Sequence, residues 1–363
     1  PPPFFFNDRS PTEISTLSIH DALPISTYQP KPVRRVWIPK PGTNQKRPLG
    51  IPTVRDRIVQ TALRNVIEPI YERTFAAHSY GFRPGRGCKD ALRQVQGLLD
   101  TGKTWVVDAD LQSYFDTIPH DRLMERMEEQ VADGRIVALI RSYLQQGIME
   151  GLSEYEAGES GTPQGAVISP LLANVYLNPL DHRMASQGIE MVRYADDFVI
   201  LCHTQQQAQE ALAEIRTWIA NNGLALHPEK TRIVDATKKG GFDFLGYHFE
   251  RGYRWPRRKS MDRIKEKIGQ LTKRSNGHSM QDTITKLNEV LRGWFGYYQH
   301  SHKTTFRNMD GYVRGRLRAI LRKRSKRKGR ACGTDNQRWP NAYFASLGLF
   351  DLMQAYQLVR QSP

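Results

Sequence analysis

Residues 191–201 read "MVRYADDFVIL". Two adjacent aspartates, Asp196 and Asp197, interrupt an otherwise apolar run whose composition is typical of a β-strand. Paired aspartates at an ordinary hairpin turn are solvated turn residues. Here both flanks are strongly apolar, and burying neighbouring carboxylates is costly unless something neutralises them. The pattern therefore indicates a functional turn between two buried strands.

The segments around this turn follow a recognisable order. The spacing predicts strand, helix, strand, strand, helix, strand between about 105 and 235, which is the ferredoxin-like βαββαβ order. The run "TWVVDADLQSYFD", residues 104–116, places Asp110 at the end of the first strand. Because the middle strands should lie beside the first, we expect Asp110, Asp196 and Asp197 to converge at one end of the sheet.

Three converging carboxylates point to metal-ion chemistry. They repel one another unless cations neutralise them, and oxygen ligands suit Mg²⁺, which also accepts substrate phosphates. Two such ions about 3.5–4 Å apart can stabilise both the attacking and the leaving oxygen of a phosphoryl transfer. The sequence therefore predicts a site with two Mg²⁺ ions.

The composition indicates an anionic partner. The 363 residues carry a formal net charge of +16, which favours nucleic acid or an anionic membrane surface. No apolar run approaches 18 residues, so a transmembrane helix is not predicted. The three cysteines are far apart and form neither a zinc-type pair nor a disulfide framework, which favours a reducing compartment.

Two further segments have clear local patterns. Residues 33–53, "VRRVWIPKPGTNQKRPLGIPT", read as a β-hairpin. Residues 54–73 follow as a helix with apolar residues at helical spacing, which Pro69 should kink or end; the apolar positions are Ile58, Ala62, Val66 and Ile70.

Beyond Met261 the chain becomes basic and helical. Ser279 and Asp282 have capping-box spacing at the start of one helix. The stretch 314–330 is dense in Arg and Lys, with Leu317, Ile320 and Leu321 at helical spacing. One side should therefore pack while the rest presents cations to phosphates.

The opening residues 1–27 do not read as part of the fold. They lack a starting Met and the pattern of a secretory signal. They resemble translated sequencing-adaptor sequence, so we expect an artefact there; a natural disordered tail is the alternative.

Several blocks, taken in order, carry a family resemblance. "SYGFRPGRGCKDAL" at 79–92, "VVDADLQSYFD" at 106–116, "GTPQGAVISPLLANVYL" at 161–177 and "YADD" at 194–197 look like polymerase blocks of reverse transcriptases. "LALHPEKTRIV" at 224–234 and "FDFLGYHF" at 242–249 continue the series, and "LRGWFGYYQHSH" at 291–302 resembles a maturase region. The chain thus resembles bacterial group II intron-encoded reverse transcriptase–maturases.

The resemblance implies an α+β, right-hand polymerase fold of fingers, palm and thumb, with a ferredoxin-like palm and a helical maturase or thumb domain. The implied domains are fingers at 28–104, incomplete at the N-terminus, and a palm with the active site and interleaved finger elements at 105–250. The helical thumb or maturase domain would span 251–330, and a C-terminal tail 331–363.

The resemblance also implies roles for individual residues. Asp110 and Asp196 would ligate the two metal ions, with Asp197 assisting. Asp108 is a rival to Asp110, but Asp110 places Phe115 where the family has its ribose-sensing aromatic. Nucleotide binding would involve Lys46, Arg47, Phe115, Gln164 and Gly165, and nucleic-acid binding Arg83 and Lys230. The basic stretch 314–330 adds Arg316, Arg322, Lys323 and Arg324 as nucleic-acid contacts predicted from its charge.

The implied function is RNA-directed DNA synthesis combined with maturase activity on group II intron RNA. Its partners would be that RNA, an RNA template with a DNA primer, and dNTPs. No membrane partner is implied, and a homodimer is compatible with the resemblance. The location would be the bacterial cytoplasm, in association with the nucleoid. The alternatives are a splicing cofactor with an inactive polymerase, and a reverse transcriptase of a defence or diversity-generating element.

Overall fold

A computed structural model describes residues 28–39, 46–151, 153–155, 158–275, 277–327 and 333–361. The leader 1–27, the turn of the first hairpin and the end of the basic stretch, 328–330, lie outside the described residues.

Strands and helices alternate in the first two thirds of the chain, and helices follow. The strands are β1 (Val33–Pro39), β2 (Lys46–Ile51), β3 (Trp105–Asp110), β4 (Ile148–Glu150), β5 (Ser153–Tyr155), β6 (Glu190–Tyr194), β7 (Asp197–Cys202), β8 (Arg232–Asp235), β9 (Phe242–Phe244), β10 (Tyr247–Glu250) and β11 (Tyr253–Pro256). The helices are α1 (Val54–Glu72), α2 (Cys88–Asp100), α3 (Tyr114–Thr117), α4 (His120–Glu128), α5 (Gly134–Leu144), α6 (Ser169–Ser186), α7 (Gln205–Asn221), α8 (Arg258–Leu271), α9 (Met280–Tyr298), α10 (Lys303–Arg324), α11 (Gly333–Arg338), α12 (Asn341–Ser346) and α13 (Leu352–Gln361).

The central sheet has the predicted ferredoxin-like topology. Its strand order is β6-β7-β3-β8. Numbered along the motif, these strands are the second, third, first and fourth, which is the ferredoxin-like arrangement. Of the two middle strands, only β7 lies beside β3. We expected both of them to do so. The turn that carries the two aspartates joins β6 to β7, as the sequence predicted.

The chain forms two compact units. The first contains residues up to Ala91, Ala109–Phe198 and Glu210–Thr231; the second contains Leu92–Asp108, Val199–Gln209 and the chain from Arg232 onward. In the first unit, β1 and β2 form the predicted antiparallel hairpin, in the sheet of order β2-β1-β4-β5. In the second, β9, β10 and β11 form a small antiparallel sheet.

Helix α1 forms where predicted but buries the opposite face. Ile58 and Val66 are 48% and 59% exposed, whereas the buried positions are Asp56, Gln60, Leu63, Ile67 and Tyr71. Of the two buried polar residues, the Asp56 carboxylate accepts from the hydroxyl of Tyr28, and Gln60 Oε1 accepts from the backbone N–H of Val167. The apolar residues that pack are Leu63, Ile67 and Tyr71 of this same face, and Pro69 lies inside a helix that continues to Glu72.

The helical part of the second unit has its own core. Ser279 caps α9 by accepting from the backbone N–H of Asp282, as predicted. The core includes Ile284, Leu287, Leu291, Leu317 and Ile320, and it continues into the last helices through Trp339, Phe344, Leu352 and Tyr356. The described part of 331–363 is thus packed into the helical core and differs from the tail that we expected. Within the described part of the chain, the helices are too short or too polar to cross a membrane.

Candidate active site

Asp110 is the last residue of β3, and both its backbone carbonyl and its side chain accept hydrogen bonds. Its carbonyl oxygen accepts from the backbone N–H of His227 at 2.8 Å, and its carboxylate accepts from Lys230 Nζ at 2.5 Å. The loop after α7 therefore brings Lys230, a predicted nucleic-acid contact from a block that the family resemblance places near the active site, directly onto a predicted metal ligand. Both side chains keep access to solvent, at 58% for Lys230 and 27% for Asp110.

The turn between β6 and β7 presents Asp196 beside Asp110. Ala195 has a φ of +61°, a left-handed conformation that is costly for a residue with a Cβ. Burial raises the pKa of Asp196, and the charge of Asp110 raises that pKa further, while Arg47 and Lys230 oppose the rise. The charges of Asp110, Arg47 and Lys230 therefore all act on the Asp196 carboxylate.

The arrangement fits a hard divalent cation. Within the ranges described above, no group of three His, Cys, Asp or Glu side chains could hold a metal ion. Mg²⁺ does not require one, because it commonly binds one or two carboxylates together with substrate phosphates and water. The Asp110–Asp196 pair offers such an oxygen donor set. Asp197 is the first residue of β7 and is partly buried.

Asp108, the rival of Asp110, has a different partner. Its carboxylate accepts from Arg232 Nε on β8 at 3.2 Å, and its side chain is 17% exposed. The charge of Asp110 is among the influences that raise the pKa of Asp196. The geometry therefore favours Asp110 as the partner of Asp196.

The predicted nucleotide-binding residues lie on segments that are bonded together. Lys46 and Arg47 begin β2 and are exposed. The loop that follows α5 and β5 hydrogen-bonds to this strand, because Gly50 N–H donates to the carbonyl of Gln164 at 2.7 Å. Gly165 has a φ of +111°, and a Cβ there would lie 2.8 Å from the Gly50 carbonyl oxygen. Only glycine fits this close approach.

The other end of the same loop is bonded to Phe115. The backbone N–H of Thr162 donates to the Phe115 carbonyl at 2.6 Å. The Phe115 ring is partly buried and lies edge-on to Tyr114, with 5.6 Å between ring centroids. Residues 161–165 therefore connect the strand that carries Arg47 with the segment that carries the predicted ribose-sensing ring.

The sequence pattern of the family described as "Reverse transcriptase (RNA-dependent DNA polymerase)" matches residues 38–249, more than half of the chain. The chain belongs to the reverse transcriptase family. The pattern described as "Group II intron, maturase-specific domain" matches residues 261–339, so the family resemblance and the maturase region predicted from sequence are both confirmed.

Two curated relatives support this assignment, and one solved structure supports the fold. Protein YkfC of Escherichia coli is 35% identical over 272 residues, covering 64% of this chain and 70% of that protein. The group II intron-encoded protein LtrA of Lactococcus lactis is 42% identical over 163 residues, covering 45% of this chain but only 27% of that protein. The apo telomerase of Candida tropicalis has a TM-score of 0.52 at 12% identity, covering 90% of this chain and 60% of the other. That likeness confirms the right-hand polymerase fold.

Arg83 is an internal residue of this reverse transcriptase. Its side chain is 3% exposed. It donates to both carboxylate oxygens of Glu72 and to the carbonyls of Ala76 and Ser79, and it lies over the ring of Phe75. Since its donors are used within the protein, we withdraw Arg83 from the predicted nucleic-acid contacts.

Most of the predicted arginine contacts on α10 are also bonded internally. Arg316 donates to the carbonyls of Gly269 and Thr272 at the end of α8. Arg322 pairs with the buried Asp335 at 2.8 Å, and Arg324 donates to the carbonyl of His278. Lys323 is exposed and lines a cavity of about 650 Å³ whose walls are Lys273, Arg274, Ser275, Arg316, Ala319, Arg322, Lys323 and Arg327.

The sequence did not predict the buried ion pair beneath the turn that carries Asp196. Arg193 is completely buried and forms an ion pair with the completely buried Asp181 of α6. The signal was available, because an arginine inside the apolar strand "MVRY" needs a buried partner. The identity of that partner, 12 residues earlier in the chain, was not readable from any pattern.

Proposed function

We propose that this chain synthesises DNA on an RNA template and binds group II intron RNA as a maturase, with the described domains acting as fingers, palm and thumb. The observation that carries the polymerase half is the Asp110–Asp196 carboxylate pair with Arg47 and Lys230 around it. Reverse transcriptases are metal-dependent, and the donor set suits Mg²⁺.

Asp110 and Asp196 would hold two Mg²⁺ ions, with Asp197 assisting. When bound, these ions would stabilise the attacking 3′-oxygen of the primer and the leaving oxygen of the dNTP. Lys230 neutralises Asp110 in the structure, so this lysine shields the carboxylates from each other while they await substrate.

The remaining residues would bind and orient the dNTP. Arg47 offers a bidentate fork to the triphosphate, and Lys46 adds a point charge. The loop at Gln164 and Gly165 would support the nascent base pair, because it is bonded to the strand that carries Arg47. Phe115 would exclude the 2′-hydroxyl of a ribonucleotide by steric contact.

The maturase half rests on the family match and on the cationic cavity. Among the described residues, the wall of the cavity has six cationic side chains and no acidic one. Phosphate groups of structured RNA fit such a wall, because RNA recognition relies strongly on phosphate contacts. Lys273, Arg274, Lys323 and Arg327 are the exposed cationic members. Arg327 pairs with Asp335, so the first three would make these contacts. We place the activity in the bacterial cytoplasm, at the nucleoid where the target DNA lies.

The polymerase half is tested by Mg²⁺-dependent cDNA synthesis on a primed RNA. Wild type should extend the primer and Asp196→Asn should not, while both bind RNA equally. Asp121→Asn is a matched control, because the Asp121 side chain is 93% exposed and its ion pair with Arg141 is long, at 3.8 Å. A folded wild type that binds RNA without synthesis would instead support the splicing-cofactor alternative.

The maturase half is tested by charge reversal in the cavity. Lys323→Glu should raise the Kd for intron RNA by about tenfold at 0.1 M salt and flatten its salt dependence. Lys286→Glu, on an exposed position of α9, makes the same charge change outside the cavity and should change the Kd by less than about twofold. Equal effects of the two variants would show that net charge alone drives binding.

A further inference from the structure

The buried arginine under the catalytic turn has every donor engaged. Arg193 Nε donates to Asp181 Oδ1 at 2.8 Å and Nη2 donates to Asp181 Oδ2 at 2.5 Å. Nη1 donates to Asn174 Oδ1 at 3.0 Å and to the Ala195 carbonyl at 2.9 Å, and Nη2 donates to Ser79 Oγ at 2.8 Å. All five N–H groups of the guanidinium therefore have an acceptor.

These bonds join three separate segments. Asp181 and Asn174 lie on α6, Ser79 lies on the loop before α2, and Ala195 lies in the turn itself. The backbone of Arg193 adds to the connection, because its N–H donates to the carbonyl of His78 at 3.0 Å and its carbonyl accepts from Tyr80 at 2.9 Å. The turn is thus fixed to the helix on one side and to the 78–81 loop on the other.

The amide of Asn174 is itself oriented. Its Nδ2 donates to the carbonyl of Gly81 at 2.7 Å, which directs Oδ1 toward Arg193. A Cβ on Gly81 would lie 2.3 Å from the Ala195 nitrogen, so the loop is pressed directly against the turn.

The bond to the Ala195 carbonyl has a particular consequence. Ala195 holds a left-handed φ of +61°, which persists only where its surroundings impose it. The Ala195 carbonyl belongs to the peptide that leads into Asp196. Whatever fixes that carbonyl fixes the peptide plane, and hence the direction from which the Asp196 carboxylate enters the site.

We propose that Arg193 is a positioning residue for the catalytic carboxylate, acting with Asp181 and Asn174 through the Ala195 carbonyl. It reaches neither substrate nor metal, since its five donors are used within the protein. The proposal rests on the proposed function, because it assigns a role in the polymerase site, but its test includes a measurement that needs no synthesis.

The variant that tests it is Arg193→Lys. A neutral residue would leave Asp181 buried and unpaired, which is strongly destabilising. Lysine can still pair with Asp181, but a single ammonium cannot reproduce the planar fork that also reaches Asn174 and Ala195. We expect a folded enzyme whose kcat is at least about tenfold lower, because small misplacements of a reacting group are expensive. The KM for dNTP and the Kd for primer–template should stay within about twofold.

A second measurement separates this proposal from the function itself. Mn²⁺ binding, followed by electron paramagnetic resonance without substrate, should weaken by about tenfold in Arg193→Lys, because the carboxylate is displaced. If wild type binds Mn²⁺ but synthesises no DNA, the proposed function fails while this comparison still tests Arg193.

Arg126→Lys is the matched control. Arg126 is a partly buried arginine of α4 that donates to the Tyr176 carbonyl and to Asn222, and it has no hydrogen bond to the turn. It should keep kcat and Mn²⁺ affinity within about twofold.

Two results would overturn the proposal. One is a folded Arg193→Lys with wild-type kcat and Mn²⁺ affinity. The other is a loss of kcat that merely parallels lost stability and lost RNA binding, in the variant and the control alike. If Arg193→Lys does not fold, Asn174→Ala keeps the Asp181 pair and should lower kcat by about threefold; an unchanged kcat there also overturns the proposal.

Discussion

A single methyl group at Gly81 should disable the catalytic turn without unfolding the protein. An added Cβ would lie 2.3 Å from the nitrogen of Ala195 and 2.9 Å from the carbonyl carbon of Tyr194. Both are backbone atoms of the turn, so neither can rotate away as a side chain would. Gly81 is not among the glycines with positive φ, so alanine can adopt its backbone conformation and the effect of Gly81→Ala is steric.

The magnitude follows from the distances. Ordinary contact begins at about 3.4 Å, so the turn or the loop must move by about 1 Å. A displacement of that size at a catalytic group costs about 10²-fold in rate, or about 2.7 kcal/mol of barrier. Overpacking of this kind costs about 1–3 kcal/mol of stability, which most folded domains tolerate.

Single-turnover primer extension on an RNA template measures the effect, with thermal unfolding as the check on folding. Gly97→Ala is the matched control, because Gly97 is an exposed position of α2 with no atom within 4 Å of its added Cβ. It should keep wild-type activity and gain up to about 1 kcal/mol of stability. A folded Gly81→Ala with wild-type rates would refute the idea that the 78–81 loop determines where the turn sits.

Three further outcomes test other parts of the structure. Burial raises the pKa of Asp310 from 3.8 to about 6, with Asp351 adding to the rise and Arg314 opposing it. The folded state then keeps a proton that the unfolded chain releases, so the free energy of unfolding should fall by up to about 3 kcal/mol between pH 4 and 6. Urea unfolding should show this slope in wild type and lose it in Asp310→Asn; an equal slope in both would exclude Asp310 as its source. Gly165→Ala should raise the KM for dNTP by about tenfold with an unchanged Kd for primer–template, since a Cβ there would push the loop from β2. Phe115→Val should allow ribonucleotide incorporation, measured by alkali-sensitive products, and their absence would remove Phe115 from the proposed dNTP site.

The elements that were predicted correctly are those whose local sequence pattern agrees with their surroundings in the folded protein. The turn at Asp196 and the strand ending in Asp110 formed where the sequence indicated, because apolar strands and turn residues leave few alternatives. Their order alone predicted the ferredoxin-like sheet, since few topologies connect such elements without crossing.

Where the prediction failed, polar groups at long range decided the structure. Helix α1 turned its Ile58 side to solvent, and its buried face combines the apolar Leu63, Ile67 and Tyr71 with Asp56 and Gln60, whose hydrogen-bond partners lie on other segments. Nothing in a helical period shows that a glutamine will be bonded to Val167. Arg193 was likewise visible as an anomaly, but its five acceptors come from segments that only the fold brings together.

The basic helix α10 shows why the number of basic residues overestimates the number of side chains that are available to bind nucleic acid. Arg316 and Arg324 satisfy backbone carbonyls at α8 and at the start of α9, and Arg318 donates to the carbonyl of Trp339. Arginine suits this role because its fork bonds several carbonyl oxygens at once, whereas lysine is a single point charge. The cations left for phosphate are mainly lysines such as Lys323. The salt dependence of RNA binding should therefore correspond to fewer phosphate contacts than the +16 net charge suggests, and a slope that matched every cation of α10 would show that the internal arginines open on binding RNA.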